Sequence, residues 1–464
     1  MSKDISYDAI MSRRSDIVKD SAGIDFARFE RGGVAFDYEA MLAATGYTLD
    51  KVREVQFEAS VGNTPIIELR NITALARLFA KPGYGARIFI KDEAANPSGS
   101  FKDRRAATAV YHAKRSGYKG VIAATSGNFG AAVASQAAAK GLKCIIVQEC
   151  YDSRKTGQPE IIEKARKCEA YGADVIQCTV GPELFYLSLK LLEETGYFSA
   201  SLYSPFGVTG IETLGFEVAN QMKVIAGGFP DTVVCTNAGG GNVTGTARGL
   251  AKAGCKAEVI GASVNLAGLH MASDTSFNRK SFTTGHTGFG VPFASWPDRS
   301  DVPRSAARPL RYLDRYVTVS QGEVFYMTEL LANLEGLERG PAGNTSLAAA
   351  FSIAMEKPAD HIIVVQETEY TGAGKHVQPQ LSFARRNGIE VKFGNSSEEI
   401  PGKNIILPES AAGIKAIDLD LDHMRQSLIR HAKETSSEPL SDFDIDFLAE
   451  ETGTTPAFVY QNLG

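Results

Sequence analysis

Seven short runs dominated by β-branched and aliphatic residues punctuate the middle of the chain: "ARIFIKDE", "GVIAATSG", "KCIIVQEC", "DVIQCTV", "DTVVCTNAGG", "AEVIGASV" and "HIIVVQETE". Most are separated by stretches in which Ala, Lys and Glu recur at helical density. Strand-length runs alternating with helical segments predict an α/β fold with a mostly parallel sheet. Residues 1–55 contain no such run and predict a helical N-terminal extension. After about residue 400 the strand pattern stops, so 401–464 is expected to be a helical appendage. Its last part, "SDFDIDFLAEETGTTPAFVYQNLG", predicts two short helices around a Gly-Thr-Thr-Pro break. That pair has the look of a DNA-binding helix-turn-helix. The acids around it (Asp442, Asp444, Asp446, Glu450, Glu451) argue instead for a docked appendage.

The balance of residue types narrows the function. A chain of 464 residues with 44% hydrophobic and 22% charged positions has enough apolar material for one large core or two domains. A net charge of -5 argues against a nucleic-acid-binding face, which needs a basic surface. No apolar run approaches the length of a bilayer span, and "MSKDISYDAI" is too polar for a signal peptide, so a cytoplasmic protein is expected. The six cysteines include no C-x-x-C pair and are expected to be mostly buried thiols. The histidines lack metal-ligand spacing, and no catalytic metal is expected.

The chemistry lies at the junctions from strand to helix, where open α/β sheets place their ligands. In "KDEAANPSGSFKDRR" (Lys91 to Arg105), the turn formers Asn96 to Ser100 bring Lys102 to a helix start. A cation there opposes the helix dipole, so the position suits an amine that is neutral or covalently engaged. In "AATSGNFGAAVASQAAAKG" a helix starts after Asn128, and the N–H groups of Ser126 to Phe129 offer a site for a carboxylate or a phosphate. Plain capping by Thr125, Ser126 and Asn128 is the alternative there. In "VVCTNAGGGNVTGTARGLAKAG" three glycines, Gly239 to Gly241, give a backbone that can wrap an anion. A dinucleotide fingerprint fails by one residue at Gly239, Gly241 and Gly245. The acid it also needs is missing from the end of the next strand, which carries Glu258 at its start. A single phosphate is favoured, with a merely tight turn as the alternative. A P-loop around Gly374-Lys375 fails too, because position 369 is Glu and His376 follows the lysine.

A lysine amine, a glycine cradle for one phosphate, a helix end for a carboxylate and no metal are together what pyridoxal phosphate (PLP) acting on an amino acid requires. "NPSGSFKDR", "TSGNFG", "NAGGGN" and "TGAGKH", in that order, resemble the fold type II PLP enzymes of the threonine synthase and tryptophan synthase β group, and "SPFGVTGIETLGFEVA" resembles threonine synthase further. The resemblance implies two open, twisted, mostly parallel sheets: a large PLP domain (56–101 and 206–400) with a small domain (102–205) inserted. It implies that Lys102 carries PLP as a Schiff base and later moves protons, and that Phe101 lies against the ring. Asn128 would contact the ring hydroxyl, and Gly239, Gly240, Gly241 and Asn242 the phosphate. The loop of Thr125, Ser126, Gly127, Asn128 and Phe129 would hold the substrate carboxylate. Thr371 would face the pyridine nitrogen, with Glu367 and Glu369 close enough in sequence to leave that assignment open.

Fold type II hosts elimination, replacement and racemisation, so fold alone does not name a substrate. Both terminal extensions and the segment Gly285 to Tyr316 set the chain apart from threonine synthases. Taken whole, it is most similar to the β-subunit family of 2-amino-4-oxopentanoate thiolases of ornithine degradation. That resemblance implies cleavage of the substrate with coenzyme A (CoA) to acetyl-CoA and alanine, by way of an aldimine at Lys102, a ketimine and a C3 enamine. It also implies a small α subunit, and a homodimer of this chain is expected. In that scheme Arg299, Arg304, Arg308, Arg311 and Arg315 are candidates for the CoA phosphates, although a solvated loop or subunit contact is the favoured reading of that row. The alternatives are a threonine synthase-like or ammonia-lyase elimination or replacement, and a non-catalytic regulator, against which the retained Lys102 speaks.

Overall fold

The computed structural model describes residues 4–125, 127–151, 155–157, 159–179, 183–266, 301–370 and 376–463. Its strands are β1 (Ile66–Glu68), β2 (Arg87–Asp92), β3 (Gly120–Thr125), β4 (Lys143–Tyr151), β5 (Asp174–Thr179), β6 (Phe198–Ser199), β7 (Thr232–Thr236), β8 (Glu258–Val264), β9 (Arg315–Val319), β10 (Ile362–Glu367), β11 (Glu390–Gly394), β12 (Asn404–Pro408) and β13 (Ile417–Asp418). All seven predicted runs are strands. They pair in parallel within two sheets, one ordered β1-β2-β10-β7-β8-β9-β13 and one ordered β5-β4-β3-β6, with β5 at an edge. Helices cover both faces of such a sheet, so its strands are apolar throughout rather than alternating. In β3 every residue is buried.

The structure departs from the sequence reading beyond residue 400, where β12 and β13 follow. β12 pairs in parallel with β11, and β13 adds an antiparallel edge to β9 through only two residue pairs, Ile417 with Thr318 and Asp418 with Val317. Both residues of β13 are exposed, so it carries no apolar signature. The predicted terminal helices are present as Asp442–Thr452 and Pro456–Asn462.

Three helices bring the chemical junctions together. The helix Pro205–Ala226 lies between Lys102–Arg115 and Gly241–Lys252. Its small residues allow backbone contact on both sides: a Cβ on Gly210 would strike the Arg104 carbonyl, and one on Gly215 the Thr246 carbonyl. Gly249 answers from the third helix, where a Cβ would strike the Glu212 carbonyl. The helix bearing Lys102 is thereby held in fixed relation to the helix that the glycine turn opens.

Both terminal segments belong to the core. Ile10, Val18 and Phe36 from one end and Ile445, Leu448 and Val459 from the other share an apolar cluster with Val121, Ile122 and Ile146 of β3 and β4. Tyr38 stacks on Phe447 with centroids 6.2 Å apart. Asp444 completes the joint, accepting hydrogen bonds from the Val34 and Ala35 amides at 2.8 and 2.7 Å. Among the described residues, no helix is long and apolar enough to cross a membrane.

Candidate active site

Lys102 is the first residue of its helix, and the turn before it is fastened on two sides. The Asp103 carboxylate accepts from the Ser98 amide at 2.7 Å, and the Phe101 amide donates to the Thr368 carbonyl at 3.0 Å. The second bond ties the loop to the end of β10, where Ser100 and Glu369 also bridge. Lys102 Nζ lies 4.4 Å above the centre of the Phe101 ring, inside a cavity that Phe101, Lys102 and Glu369 help to line. Burial pushes the Lys102 pKa well below the ordinary lysine value; Arg105 and Lys164 add to the shift and Glu369 opposes it. The amine is thus biased toward its neutral, nucleophilic form.

The glycine turn forms the opposite wall. Gly239, Gly240, Gly241 and Asn242 line the cavity where β7 passes into the helix Gly241–Lys252. Gly240 has φ +79°, and a Cβ there would lie 2.5 Å from Pro309 Cδ, so the turn requires glycine on both counts. Asn242 Nδ2 donates to the Thr236 carbonyl at 3.1 Å, while its buried Oδ1 has no hydrogen-bond partner. The first amides of a helix lack intrahelical partners, which makes this end an anion site.

The third wall is the junction of β3 with the helix Asn128–Lys140. Thr125 Oγ1 accepts from the amides of Gly127 and Gly130 at 3.0 and 3.2 Å, so this side chain shapes the loop as the capping alternative foresaw. Thr125, Gly127, Asn128 and Phe129 all line the cavity; Ser126 lies outside the described residues.

Thr371 also lies outside the described residues. Of its two alternatives, Glu369 lines the cavity, whereas Glu367 is turned toward Gly343, on which a Cβ would collide with its carboxylate. Three ionisable cavity residues escaped the sequence reading. Lys164 pairs with Glu160 at 2.7 Å and reaches Glu369 at 3.8 Å. The Tyr203 hydroxyl would lie 3.7 Å from a Cβ on Gly239. Arg105 reaches the glycine turn, where a Cβ on Gly241 would collide with its guanidinium. Only Arg105 had a local signal, because it stands three residues after Lys102 and so shares its helix face.

The arginine row is engaged elsewhere. Arg304 pairs with Glu30 at 2.8 Å, Arg311 with Glu450 at 2.6 Å and Arg315 with Asp418 at 2.5 Å. Arg308 is buried against Glu451 and sits 3.7 Å over the Tyr38 ring. These four fasten the terminal segments to the body of the protein rather than presenting cations to a ligand; Arg299 is outside the described residues. The cysteines take no part in the cavity: five of the six are buried, and burial pushes the Cys168 and Cys235 thiols up to about 12. Among the described residues, no cluster of His, Cys, Asp or Glu is arranged to hold a metal.

A family model described as "Pyridoxal-phosphate dependent enzyme" matches residues 57–367, which span every wall of this cavity except the end of the β10 loop. The chain is 69% identical over 460 residues to the 2-amino-4-ketopentanoate thiolase beta subunit of Acetoanaerobium sticklandii, covering 99% of this chain and 98% of that one. The chain belongs to the pyridoxal-phosphate dependent enzymes, in the family of those thiolase beta subunits. Threonine synthase of Bacillus sp. (strain ULM1) is a more distant relative, 28% identical over 298 residues that cover 62% of this chain and 76% of that one. Among solved structures, O-ureido-L-serine synthase superposes with a TM-score of 0.52 at 22% identity, over 67% of this chain and 89% of that one, and shares the fold. The cavity of this pyridoxal-phosphate dependent enzyme fits the cofactor's chemistry: an amine biased to neutrality faces an aromatic ring, and a glycine turn that opens a helix N-terminus stands opposite.

Proposed function

We propose that this chain, with a small partner subunit, cleaves 2-amino-4-oxopentanoate with CoA to acetyl-CoA and alanine. The observation that carries the chemistry is the half-buried Lys102 amine, lining the cavity and held low in pKa opposite the glycine turn. The full-length likeness to relatives named for that substrate narrows the reaction.

On this reading Lys102 holds PLP covalently, Phe101 and Asn128 orient its ring, and Gly239 to Asn242 receive its phosphate. Bound there, PLP supplies an electron sink for bonds at the α carbon of an amino acid. The amides of the Thr125 to Phe129 loop hold the substrate carboxylate, with Lys164 adding positive potential beside Gly127, where a Cβ would lie 3.2 Å from its Nζ. Lys102, released when substrate takes its place, removes the α proton, exchanges it with solvent and later delivers a proton to the α carbon. The CoA thiolate adds at C4 and the C3–C4 bond breaks. Its electron pair goes to the amino-acid half, and C3 takes a proton to become the methyl group of alanine.

Arg304, Arg308, Arg311 and Arg315 already have carboxylate partners, so CoA recognition falls to the partner subunit or to a surface formed with it. The relatives' name, beta subunit, is in keeping with that division of labour. Borohydride reduction followed by peptide mapping is expected to fix the cofactor on Lys102, and Lys102→Ala is expected to abolish acetyl-CoA formation by the complex. Cofactor fixed to another lysine, or undiminished turnover in the variant, overturns the reading.

A further inference from the structure

Arg105 is a cation placed where the ordinary economy of a fold would forbid one. The residue is 4% exposed, and among the described residues it forms no ion pair. Nη1 donates to the Leu202 carbonyl at 2.8 Å, while the buried Nε has no hydrogen-bond partner. The guanidinium stacks loosely on Phe101, 5.9 Å from the ring centre, and its other edge abuts Gly241 at the head of the helix Gly241–Lys252.

Two positive ends therefore meet in one corner. The helix N-terminus presents unpaired amides, and a buried guanidinium faces the same glycine with, among the described residues, no carboxylate to neutralise it. Burial alone draws the Arg105 pKa down to about 10, with Tyr203 the one group that opposes the shift. An unpaired buried charge is strongly destabilising unless a counter-charge completes it. Such a corner suits an anion with several acceptor oxygens.

We infer that Arg105 is a phosphate-binding residue, its guanidinium joining the Gly239 to Asn242 turn as the counter-charge to the phosphate of PLP. This goes beyond a backbone-only cradle and rests on the reading that the glycine turn receives that phosphate. It does not depend on thiolysis. A planar fork suits a phosphate, and Phe101 and Leu202 hold it ready in orientation, so little conformational freedom is lost on binding.

The test compares PLP with pyridoxal, which forms the same bond to Lys102 but has no phosphate. Equilibrium dissociation constants are measured for wild type, Arg105→Gln and Arg105→Lys, with circular dichroism to confirm folding. Arg105→Gln is expected to weaken PLP roughly ten- to a hundred-fold, the range of a lost charged hydrogen bond, and to leave pyridoxal unchanged. Arg105→Lys is expected to recover most of the difference. Equal losses for both ligands in Arg105→Gln, or no loss for PLP, overturn the inference. If wild type itself fails to distinguish PLP from pyridoxal, the glycine-turn reading falls with it, which separates the two failures. Should the glutamine variant not fold, wild type loaded with pyridoxal decides: added inorganic phosphate is expected to raise its melting temperature, and the absence of any rise contradicts a built phosphate site.

Discussion

Glu217 bridges two buried cations, its carboxylate lying 2.9 Å from Lys91 Nζ and 2.8 Å from Arg104 Nη2. Lys91 and Arg104 are both fully buried, and Arg104 also pairs with Glu93 at 2.7 Å. The cluster locks the helix of Lys102 to β2 and to the helix Pro205–Ala226. It holds the helix that begins at Lys102, while among the described residues no carboxylate lies at bonding distance from Lys102 itself.

Removing one member leaves a buried charge uncompensated. Glu217→Ala is therefore expected to destabilise the protein by about 3–5 kcal/mol in denaturant titration, far more than a surface ion pair. Burial would raise the Glu217 pKa, but Arg104 and Lys91 outweigh it and hold the group at about 2, below its ordinary 4.5. Its contribution is then complete above pH 4.5 and lost as pH falls toward 2. Wild type should lose stability across that window, and Glu217→Ala should lose less. A change under 1 kcal/mol on substitution would show the cluster to be of surface strength.

Parallel strands such as β2, β3 and β8 were legible in the sequence because they are buried on both faces and so read as apolar runs. Lys102 was legible because its signal is local: turn formers followed at once by a helix. β1, β13 and β6 are two or three residues long, too short to show any period. β9, "RYVTV", lies at the end of the segment singled out for its arginines and was passed over. Lys164 and Tyr203 reach the cavity from elements far from Lys102 in sequence, and only the topology of the sheets brings them there. The glycine turn gave the place of an anion, but the cation facing it comes from a different helix.

Gly240 is constrained by φ +79° and by Pro309 at 2.5 Å. Replacement by Val adds left-handed strain of about 1–2 kcal/mol and displaces Pro309, which neighbours the buried pair of Arg308 and Glu451. PLP affinity is expected to fall at least ten-fold. Hydrogen exchange should quicken both at the turn and in the helix Asp442–Thr452. Exchange confined to the turn would show that the C-terminal helices are not coupled to the site.

Asp444 joins the two ends of the chain, and its carboxylate also accepts from Ser441. Asp444→Ala strands the Val34 and Ala35 amides at a cost of about 1–3 kcal/mol. Exchange at those two amides should accelerate while the PLP dissociation constant stays within two-fold of wild type. Unchanged exchange would mean that other contacts hold the segment.

Lys102 should betray its lowered pKa in cofactor-free protein. The neutral amine is the reactive form, so labelling by an amine reagent followed across pH should reach half its plateau well below pH 10.5 at this lysine. Removing Glu369, which opposes the shift, should move that midpoint lower still in Glu369→Gln. A midpoint at the ordinary lysine value would remove the electrostatic basis of the site.

The central claim, thiolysis at the Lys102 cavity, is tested most directly by product analysis in heavy water. The chain with its partner subunit, PLP, CoA and 2-amino-4-oxopentanoate should give acetyl-CoA and alanine in equal amounts. The alanine should carry deuterium at both its α carbon and its methyl group, because each takes a proton from solvent during the cycle. Acetyl-CoA absent from the complete complex, while another amino acid is consumed by elimination, would contradict the account.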